Sequence, residues 1–201
     1  MRIIECKQRS EEWVKARCGI PTASSFDKIV TSKGEPSKQR NGYLYQLAAE
    51  RLSGTHEESY TSAAMEQGIE REEQARWIYA MYREIVVDEG KFCLSDDGQY
   101  GCSPDGLVGS DGLVELKCPI GKTQVEYLLA GVLPTAYFQQ VQGQLLITGC
   151  QWCDFVSYYP SLPRFEVRIE PDHAFLQKLR TALDEFCSEL DAITHCIEQK
   201  L

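Results

Sequence analysis

The sequence lacks the features that place a protein in a membrane or outside a cell. No apolar run approaches the roughly 18 residues that a membrane-spanning helix needs. The first ten residues are polar and hold no apolar stretch of signal-peptide length. We therefore expect a soluble protein of a reducing compartment, with its nine cysteines as thiols. The only CxxC pair, Cys150 and Cys153, lacks a second close pair, so buried thiols explain it better than the alternative of a zinc or iron–sulfur site.

Basic residues are also scarce. The 201 residues hold 21 Lys and Arg against 30 Asp and Glu, a net charge of -9, which argues against a protein that coats nucleic acid with its whole surface. Residues 1–51 nevertheless hold ten basic and six acidic residues, so a local basic site is still allowed. Internal repeats and low-complexity tracts are absent. With 43% hydrophobic and 25% charged residues, the composition predicts one globular domain over 1–201.

Hydrophobic spacing predicts an α/β domain of the α+β or mixed-sheet kind. The predicted helices cover 43–52, 62–83, 123–133, 135–148 and 171–200, with Pro134 ending the third and Gly149 the fourth. The predicted strands cover 85–94, 99–102, 107–108, 113–118, 153–159 and 165–169. We expect a mostly antiparallel meander with helices flanking the sheet.

One predicted hairpin gathers charged residues. Successive strand residues point to opposite faces, so Glu115 and Lys117 share one face of the strand at 113–118. A tight turn at Ser110 and Asp111 would place Asp105 opposite Leu116, between the other two charges. The hairpin therefore brings two carboxylates and one ammonium to one end of a sheet.

This trio suits metal-assisted hydrolysis of a phosphodiester. Two close carboxylates repel each other, and a divalent cation removes the repulsion. Hard oxygen ligands favour Mg²⁺ or Mn²⁺, and a nearby lysine can orient the attacking water. Each half has an ordinary explanation, since Ser-Pro-Asp-Gly is a common turn and Glu-Leu-Lys occurs on solvated strand edges. Their combination across one predicted hairpin favours a site.

The pattern Pro104-Asp105 followed by Glu115-Leu116-Lys117 resembles the PD-(D/E)xK nuclease superfamily. More narrowly, the chain resembles the bacteriophage lambda exonuclease, or YqaJ-like viral recombinase, family. Five blocks carry this resemblance in order: WVKARCGIPTAS from Trp13, GIEREEQAR from Gly68, CSPDGL from Cys102, ELKCP from Glu115 and YFQQVQ from Tyr137. The resemblance implies a restriction-endonuclease-like core, a central mixed sheet flanked by helices.

The resemblance also implies the catalytic set. Asp105, Glu115 and Lys117 match the family's catalytic residues, and the residue at Leu116 lends its backbone carbonyl to a metal. One or two Mg²⁺ ions, or Mn²⁺, are implied at each active site. From the residues alone, these positions are a carboxylate pair, a lysine and an apolar strand residue.

Two further positions are picked out in the same way. Glu72 is implied as a second metal ligand, although a run of acids on a helix is usually a solvated face, and Glu70 is the fallback. Gln140 is implied at the active site, near the scissile phosphate or the attacking water. Gln140 and Gln144 lie four residues apart on one helix face, which by itself could equally be an exposed stripe.

The basic first quarter contains an implied 5′-phosphate site of Arg17, Ser24 and Ser103. Residues 22–25 predict a helix start with hydroxyl side chains, which can bind an anion, or else an ordinary capped helix beside a surface arginine. Weaker matches to the family's DNA-contacting positions are Trp13, Met65, Lys33, Lys38 and Tyr137. Core positions would explain Trp13 and Met65 equally well.

The resemblance implies a Mg²⁺-dependent exonuclease that degrades one strand of duplex DNA from 5′ to 3′. Such an enzyme binds 5′-phosphorylated DNA ends, releases mononucleotides and leaves 3′ overhangs. A homotrimeric ring, a single-strand annealing protein as partner, a phage or prophage origin, the bacterial cytoplasm and no membrane contact are implied with it. The alternatives are an endonuclease or iron–sulfur repair nuclease on the same core, and a non-catalytic DNA-end-binding module. The last is disfavoured because the three catalytic residues are all present.

Overall fold

The structure, a computed structural model, describes residues 1–56 and 63–200. The α-helices are α1 Glu11–Arg17, α2 Arg40–Ser53, α3 Ala63–Arg83, α4 Gly121–Ala130, α5 Phe138–Thr148 and α6 His173–Glu198. The strands are β1 Arg2–Ile4, β2 Asp88–Glu89, β3 Phe92–Leu94, β4 Gly101–Cys102, β5 Gly106–Val108, β6 Gly112–Lys117, β7 Trp152–Ser157 and β8 Phe165–Ile169. Two 3₁₀ turns cover Ala23–Lys28 and Thr135–Tyr137.

The larger sheet is mixed and has five strands in the order β2-β5-β6-β7-β8. Its β5–β6 and β7–β8 pairs are antiparallel, whereas β6 and β7 run parallel. Every other pair of the described strands is antiparallel, as the predicted mostly antiparallel arrangement requires, and α4 and α5 form the crossover that the parallel β6–β7 pair needs. The unpredicted β1 joins β3 and β4 in a second sheet. A central mixed sheet flanked by helices, as the resemblance implies, is confirmed.

The register of the β5–β6 hairpin differs by one residue from the prediction. Gly106 pairs with Val114, and Val108 pairs with Gly112, so three residues form the loop instead of two. The extra loop residue is Gly109, whose φ of 59° lies in the left-handed region that glycine adopts without steric cost. Asp105 therefore precedes β5 and is not paired across the hairpin with Leu116.

Glycines also shift two predicted boundaries. The strand at 85–94 is broken into β2 and β3 at Gly90, where a Cβ atom would lie 1.6 Å from the Pro104 carbonyl oxygen. The helix at 123–133 ends early, because Gly131 adopts φ 64° and caps α4. The helix at 135–148 begins as the 3₁₀ turn Thr135–Tyr137, and α5 follows it.

The alternation along β6 decides which residues face which helix. Leu113 packs in a buried cluster with Val141 of α5. Val114 points the other way and packs with Tyr79 of α3. Glu115 therefore faces α5 and not α3, at the carboxyl end of the strand. A larger buried cluster includes residues of the 3₁₀ turn Ala23–Lys28, α2 and α6.

None of the described helices has both the length and the apolar character needed to cross a membrane. All nine cysteines are free thiols, and Cys150 and Cys153 of the CxxC pair are both buried.

Candidate active site

A polar cavity of about 200 Å³ opens where the β5–β6 hairpin meets α1, α3 and α5. Its lining brings together ten of the residues singled out in the sequence: Trp13, Arg17, Ser24, Glu72, Ser103, Asp105, Glu115, Leu116, Lys117 and Gln140. Gln8, Arg9, Ala23 and Gln144 complete it. A larger cavity of about 540 Å³, between residues 29–40 and α6, contains none of the predicted site residues.

Glu115 is the buried centre of the acidic part of the cavity. Its side chain accepts three hydrogen bonds of 2.6 Å each. Lys117 Nζ and Gln140 Nε2 donate to Oε1, and Gln144 Nε2 donates to Oε2. An ionised carboxylate in a buried position needs such partners, so these donors hold Glu115 in one orientation.

Asp105 lies beside Glu115 and is held by the strand itself. Its Oδ2 accepts a hydrogen bond of 2.7 Å from the backbone N–H of Leu116, so the two residues meet despite the changed register. Burial and the neighbouring Glu115 carboxylate raise the pKa of Asp105 well above its usual range, and Lys117 opposes them only in part. A bound cation would favour the ionised form of this carboxyl.

Lys117 is positively charged in this environment. Burial disfavours the ammonium, but Glu115 and Asp105 outweigh burial and raise the pKa of Lys117 above its usual value. The ammonium also lies 5.0 Å from the centre of the Tyr137 ring, a cation–π distance. Lys117 can therefore donate hydrogen bonds to an anion or a water molecule near the two carboxylates.

Glu72 reaches the cavity from α3 and is held by two guanidinium groups. Arg9 approaches Oε2 to 2.5 Å, and Arg76, one turn later on the same helix, lies 3.5 Å from Oε1. The side chains of Met65 and Glu70 lie outside the described residues. Among the residues that the structure describes, no three Asp, Glu, His or Cys side chains are close enough to enclose a metal ion without other ligands.

A second group of polar side chains surrounds Arg17 at the other end of the cavity. Arg17 donates to Ser103 Oγ at 3.1 Å and to Thr22 Oγ1 at 3.3 Å, and its guanidinium lies 4.0 Å from the centre of the Trp13 ring. Ser24 Oγ is 3.3 Å from Thr22 Oγ1. Burial lowers the pKa of Arg17, and in the described part of the chain no carboxylate lies within ion-pair distance of it. A cation with only neutral acceptors can bind an anion.

The local structure around Arg17 differs from the prediction. Residues 22–25 do not begin an α-helix capped by a hydroxyl group. They enter the 3₁₀ turn Ala23–Lys28, where the Thr22 side chain makes no capping hydrogen bond and accepts from Arg17. Ser24 therefore reaches the cavity by its place in a turn and not through a helix N-terminus.

The structure brings some of the remaining predicted DNA-contacting residues to the cavity and not others. Trp13 lines the cavity, and its Nε1 donates to Ser103 Oγ at 3.0 Å, so it is not a core residue. The Tyr137 ring packs at a tilt against Phe155, with 5.2 Å between the ring centres, and lies 5.0 Å from the Lys117 ammonium. Lys33 and Lys38 are exposed on the loop before α2, and the structure does not bring them to the cavity.

Two residues that line the cavity, Gln144 and Arg9, were not predicted as site residues from the sequence. Gln144 was noted only as a neighbour of Gln140 on one helix face, and this spacing is the signal that could have assigned it. Arg9 carried no signal, because it lies 63 residues from Glu72 along the chain.

The chain is similar to one protein family and to solved structures of exonucleases. A family model for the YqaJ-like viral recombinase domain matches residues 12–151. The structure is similar to the alkaline exonuclease LHK-Exo of Laribacter hongkongensis, with 38% identity, a TM-score of 0.87, and 95% of this chain and 97% of that chain covered. The structure of LHK-Exo in complex with dAMP matches equally well.

A phage-related exonuclease from Haemophilus somnus 129PT shares the fold at 15% identity, with a TM-score of 0.71 over 89% of this chain and 96% of that one. A search of curated proteins finds no match. The matched family spans more than half of the chain, and the fold is that of the PD-(D/E)xK nucleases. The protein therefore belongs to the YqaJ-like viral recombinase family, the family of lambda exonuclease.

Proposed function

We propose that this protein is a Mg²⁺-dependent exonuclease that degrades one strand of duplex DNA from 5′ to 3′. It releases mononucleotides and leaves 3′ single-stranded overhangs. The observation that carries the proposal is one cavity with two ends: the Asp105, Glu115 and Lys117 cluster at one end, and the anion site around Arg17 at the other. The similarity to LHK-Exo, an alkaline exonuclease, supports the same activity.

The residues fit a magnesium site that water and substrate complete. Asp105, Glu115 and the Leu116 carbonyl offer hard oxygen ligands, with Glu72 as a further one, and Mg²⁺ usually takes few protein ligands and keeps several waters. The buried Oε1 of Gln144 has no hydrogen-bond partner among the described residues and can accept from such a water. Manganese would suit the same ligands, with one or two ions per site. When bound, the metal stabilises the charge that develops on the phosphate.

The chain's own residues then orient the reacting groups. Glu115 keeps its position because Gln140 and Gln144 hold its two oxygens from α5. Lys117 is charged and anchored to Glu115, so it holds and orients the attacking water and favours loss of its proton. Gln140 assists from the same side.

The polarity of degradation follows from the Arg17 site. If Arg17, Ser24 and Ser103 hold the 5′-terminal phosphate, the next phosphodiester bond of that strand lies towards Asp105 and Glu115. The terminal nucleotide is then the unit removed. LHK-Exo has been crystallised with dAMP, a mononucleotide of the expected product class, which supports this assignment. Trp13 and Tyr137 would contact the DNA near the two ends of the cavity.

We assign the wider context from the family. Residues 1–201 form a single nuclease domain that assembles as a homotrimeric ring around DNA. The protein acts in the cytoplasm of a bacterial host, is encoded by a phage or prophage, and works with a single-strand annealing protein in homologous recombination.

The test is digestion of linear duplex DNA that carries a label at either the 5′ or the 3′ end, with Mg²⁺ or with EDTA. We expect early release of 5′-labelled mononucleotide, only with Mg²⁺, and full loss of activity in Lys117→Ala. Covalently closed circular duplex should stay intact. Cleavage of the circle would indicate an endonuclease, and binding of ends without cleavage would indicate a non-catalytic module.

A further inference from the structure

Arg9 lines the active-site cavity, yet no role in the reaction described so far uses it. Its guanidinium approaches Glu72 Oε2 to 2.5 Å, and its side chain is 45% exposed, so it stands at the mouth of the cavity and not in the core. Glu72, its partner, is only 12% exposed. The contact joins the segment before α1 to α3 across 63 residues.

The backbone at Arg9 is held in a conformation that arginine does not favour. Its φ is 66°, in the left-handed region where a side chain carries a steric cost. The residues on both sides are fixed. Gln8 Nε2 donates to the Pro104 carbonyl oxygen at 2.8 Å, and Ser10 caps α1 by accepting from the Trp13 N–H. Strain of this kind persists where the surroundings impose it, and it is concentrated at functional sites.

Three acidic residues, Glu72, Asp105 and Glu115, and three basic residues, Arg9, Arg17 and Lys117, line the cavity. Lys117 pairs with Glu115 and Arg9 pairs with Glu72, whereas Asp105 accepts only a backbone N–H among the described hydrogen bonds. If Glu72 is a metal ligand, a divalent ion adds two positive charges and competes with Arg9 for the same carboxylate.

Arg9 then loses its acidic partner at the mouth of a cavity built to receive DNA. Arg76 can stay with Glu72, because it lies one turn away on the same helix. The guanidinium of Arg9 has no second carboxylate within ion-pair distance among the described residues. The anion that arrives next at this place is a phosphate of the substrate, and a guanidinium can bind it through two hydrogen bonds.

We infer that Arg9 exchanges partners: it holds Glu72 in the metal-free protein and binds a phosphate of the DNA strand once the divalent ion is in place. The inference rests on the proposed function, since it takes Glu72 as a metal ligand. It makes Arg9 a residue that couples metal binding to DNA binding.

The main test compares Arg9→Gly with wild type. Glycine removes the side chain and suits a φ of 66°, so loss of folding is not expected. Arg9→Lys keeps the charge but loses the fork of the guanidinium. Lys15→Ala is the matched control, because it removes one positive charge from an exposed position on α1 outside the cavity.

Two measurements follow. By calorimetry without DNA, Arg9→Gly should bind Mg²⁺ about two- to fivefold more tightly, because a competing ion pair is gone. For DNA binding, all variants also carry Lys117→Ala to stop cleavage, and affinity is measured across a range of salt concentrations. With Mg²⁺, Arg9→Gly should lower the slope of log K against log salt by about 0.9, the loss of one phosphate contact. With EDTA, the slope should not change.

The outcomes separate the two proposals. The partner exchange would be overturned if wild type and Arg9→Gly had the same salt slope in Mg²⁺. It would also be overturned if Arg9→Gly lowered the slope equally with Mg²⁺ and with EDTA. A slope restored by Arg9→Lys and unaffected by Lys15→Ala would support it. If wild type binds no Mg²⁺ in calorimetry, the proposed function itself fails. If wild type binds Mg²⁺ and Arg9→Gly binds it no better, only the inference about Arg9 fails.

Discussion

We predict that the protein prefers a 5′-phosphorylated DNA end and that this preference depends on Arg17. Its guanidinium is largely enclosed, contacts Ser103 and Thr22, and stacks on Trp13. These partners are neutral, so the charge of Arg17 is available to a substrate anion. Replacing Arg17 by Ala removes that charge and both donated hydrogen bonds, while Trp13 Nε1 still holds Ser103 in place.

The magnitude follows from the contacts that would be lost. Hydrogen bonds to a charged group contribute about 1.5–3 kcal/mol, and each 1.4 kcal/mol is a factor of ten. We therefore expect wild type to cut a 5′-phosphorylated end about 10- to 100-fold faster, in kcat/KM, than a 5′-hydroxyl end. In Arg17→Ala this ratio should fall to about one to three, and Arg17→Lys should lie between, because an ammonium cannot replace the bidentate contact.

The assay is removal of the first nucleotide, measured in single turnover so that later steps do not mask it. Both substrates are duplexes that differ only at the 5′ group. Each is tested on wild type, Arg17→Ala and the surface control Lys15→Ala, and melting curves confirm that the variants are folded. Because the comparison is a ratio between substrates, a general loss of activity cancels.

Two results would contradict the assignment of Arg17 to the terminal phosphate. If Arg17→Ala loses activity equally on both substrates, Arg17 supports the fold or the metal site and does not read the terminal phosphate. If wild type cuts the 5′-phosphorylated and the 5′-hydroxyl end equally fast, the protein does not recognise the DNA end through its phosphate.

Three further predictions concern other parts of the molecule. Gln144→Leu should weaken Mg²⁺ binding in calorimetry by about 10- to 100-fold, because Gln144 orients the Glu115 carboxylate. Gln139→Leu on the same helix should leave Mg²⁺ binding unchanged, because Gln139 donates to the Val30 carbonyl oxygen instead. Equal effects of the two substitutions would contradict this prediction. Asp154→Ala should lower the free energy of unfolding in urea by about 3 kcal/mol, because the buried Tyr79 hydroxyl loses its acceptor, while cleavage at low temperature continues; a change below 1 kcal/mol would contradict it. Asp105→Asn should abolish cleavage yet stabilise the metal-free protein at alkaline pH. The pKa of Asp105 is raised in the folded state, so wild-type stability in EDTA should fall as the pH rises above the ordinary carboxyl range, and melting temperatures from pH 5 to 9 should show a flatter profile in the variant.

The β5–β6 hairpin shows how much of the candidate site local sequence patterns predict. The alternation of Glu115 and Lys117 with apolar neighbours assigns their common face correctly, because strand geometry has a period of two. The pairing register was wrong by one residue, because the sequence does not distinguish a two-residue turn from a three-residue loop with Gly109 in the left-handed region. The predicted meeting of Asp105 and Leu116 nevertheless occurs, through a backbone hydrogen bond at the strand end.

Most helices and strands, the helix end at Gly149 and the family could be predicted from the sequence, the family through five motif blocks in order, whereas α1, β1 and the break at Gly90 could not. Three features became apparent only in the folded chain: the parallel pairing of β6 with β7, the hydrogen bond from Gln144 to Glu115 and the ion pair between Arg9 and Glu72. Sequence patterns could not predict them because they report short-range preferences. Periodicity and turn chemistry act over a few neighbouring residues, whereas these contacts join residues 29 to 63 positions apart and form only when α1, α3 and α5 pack around the hairpin.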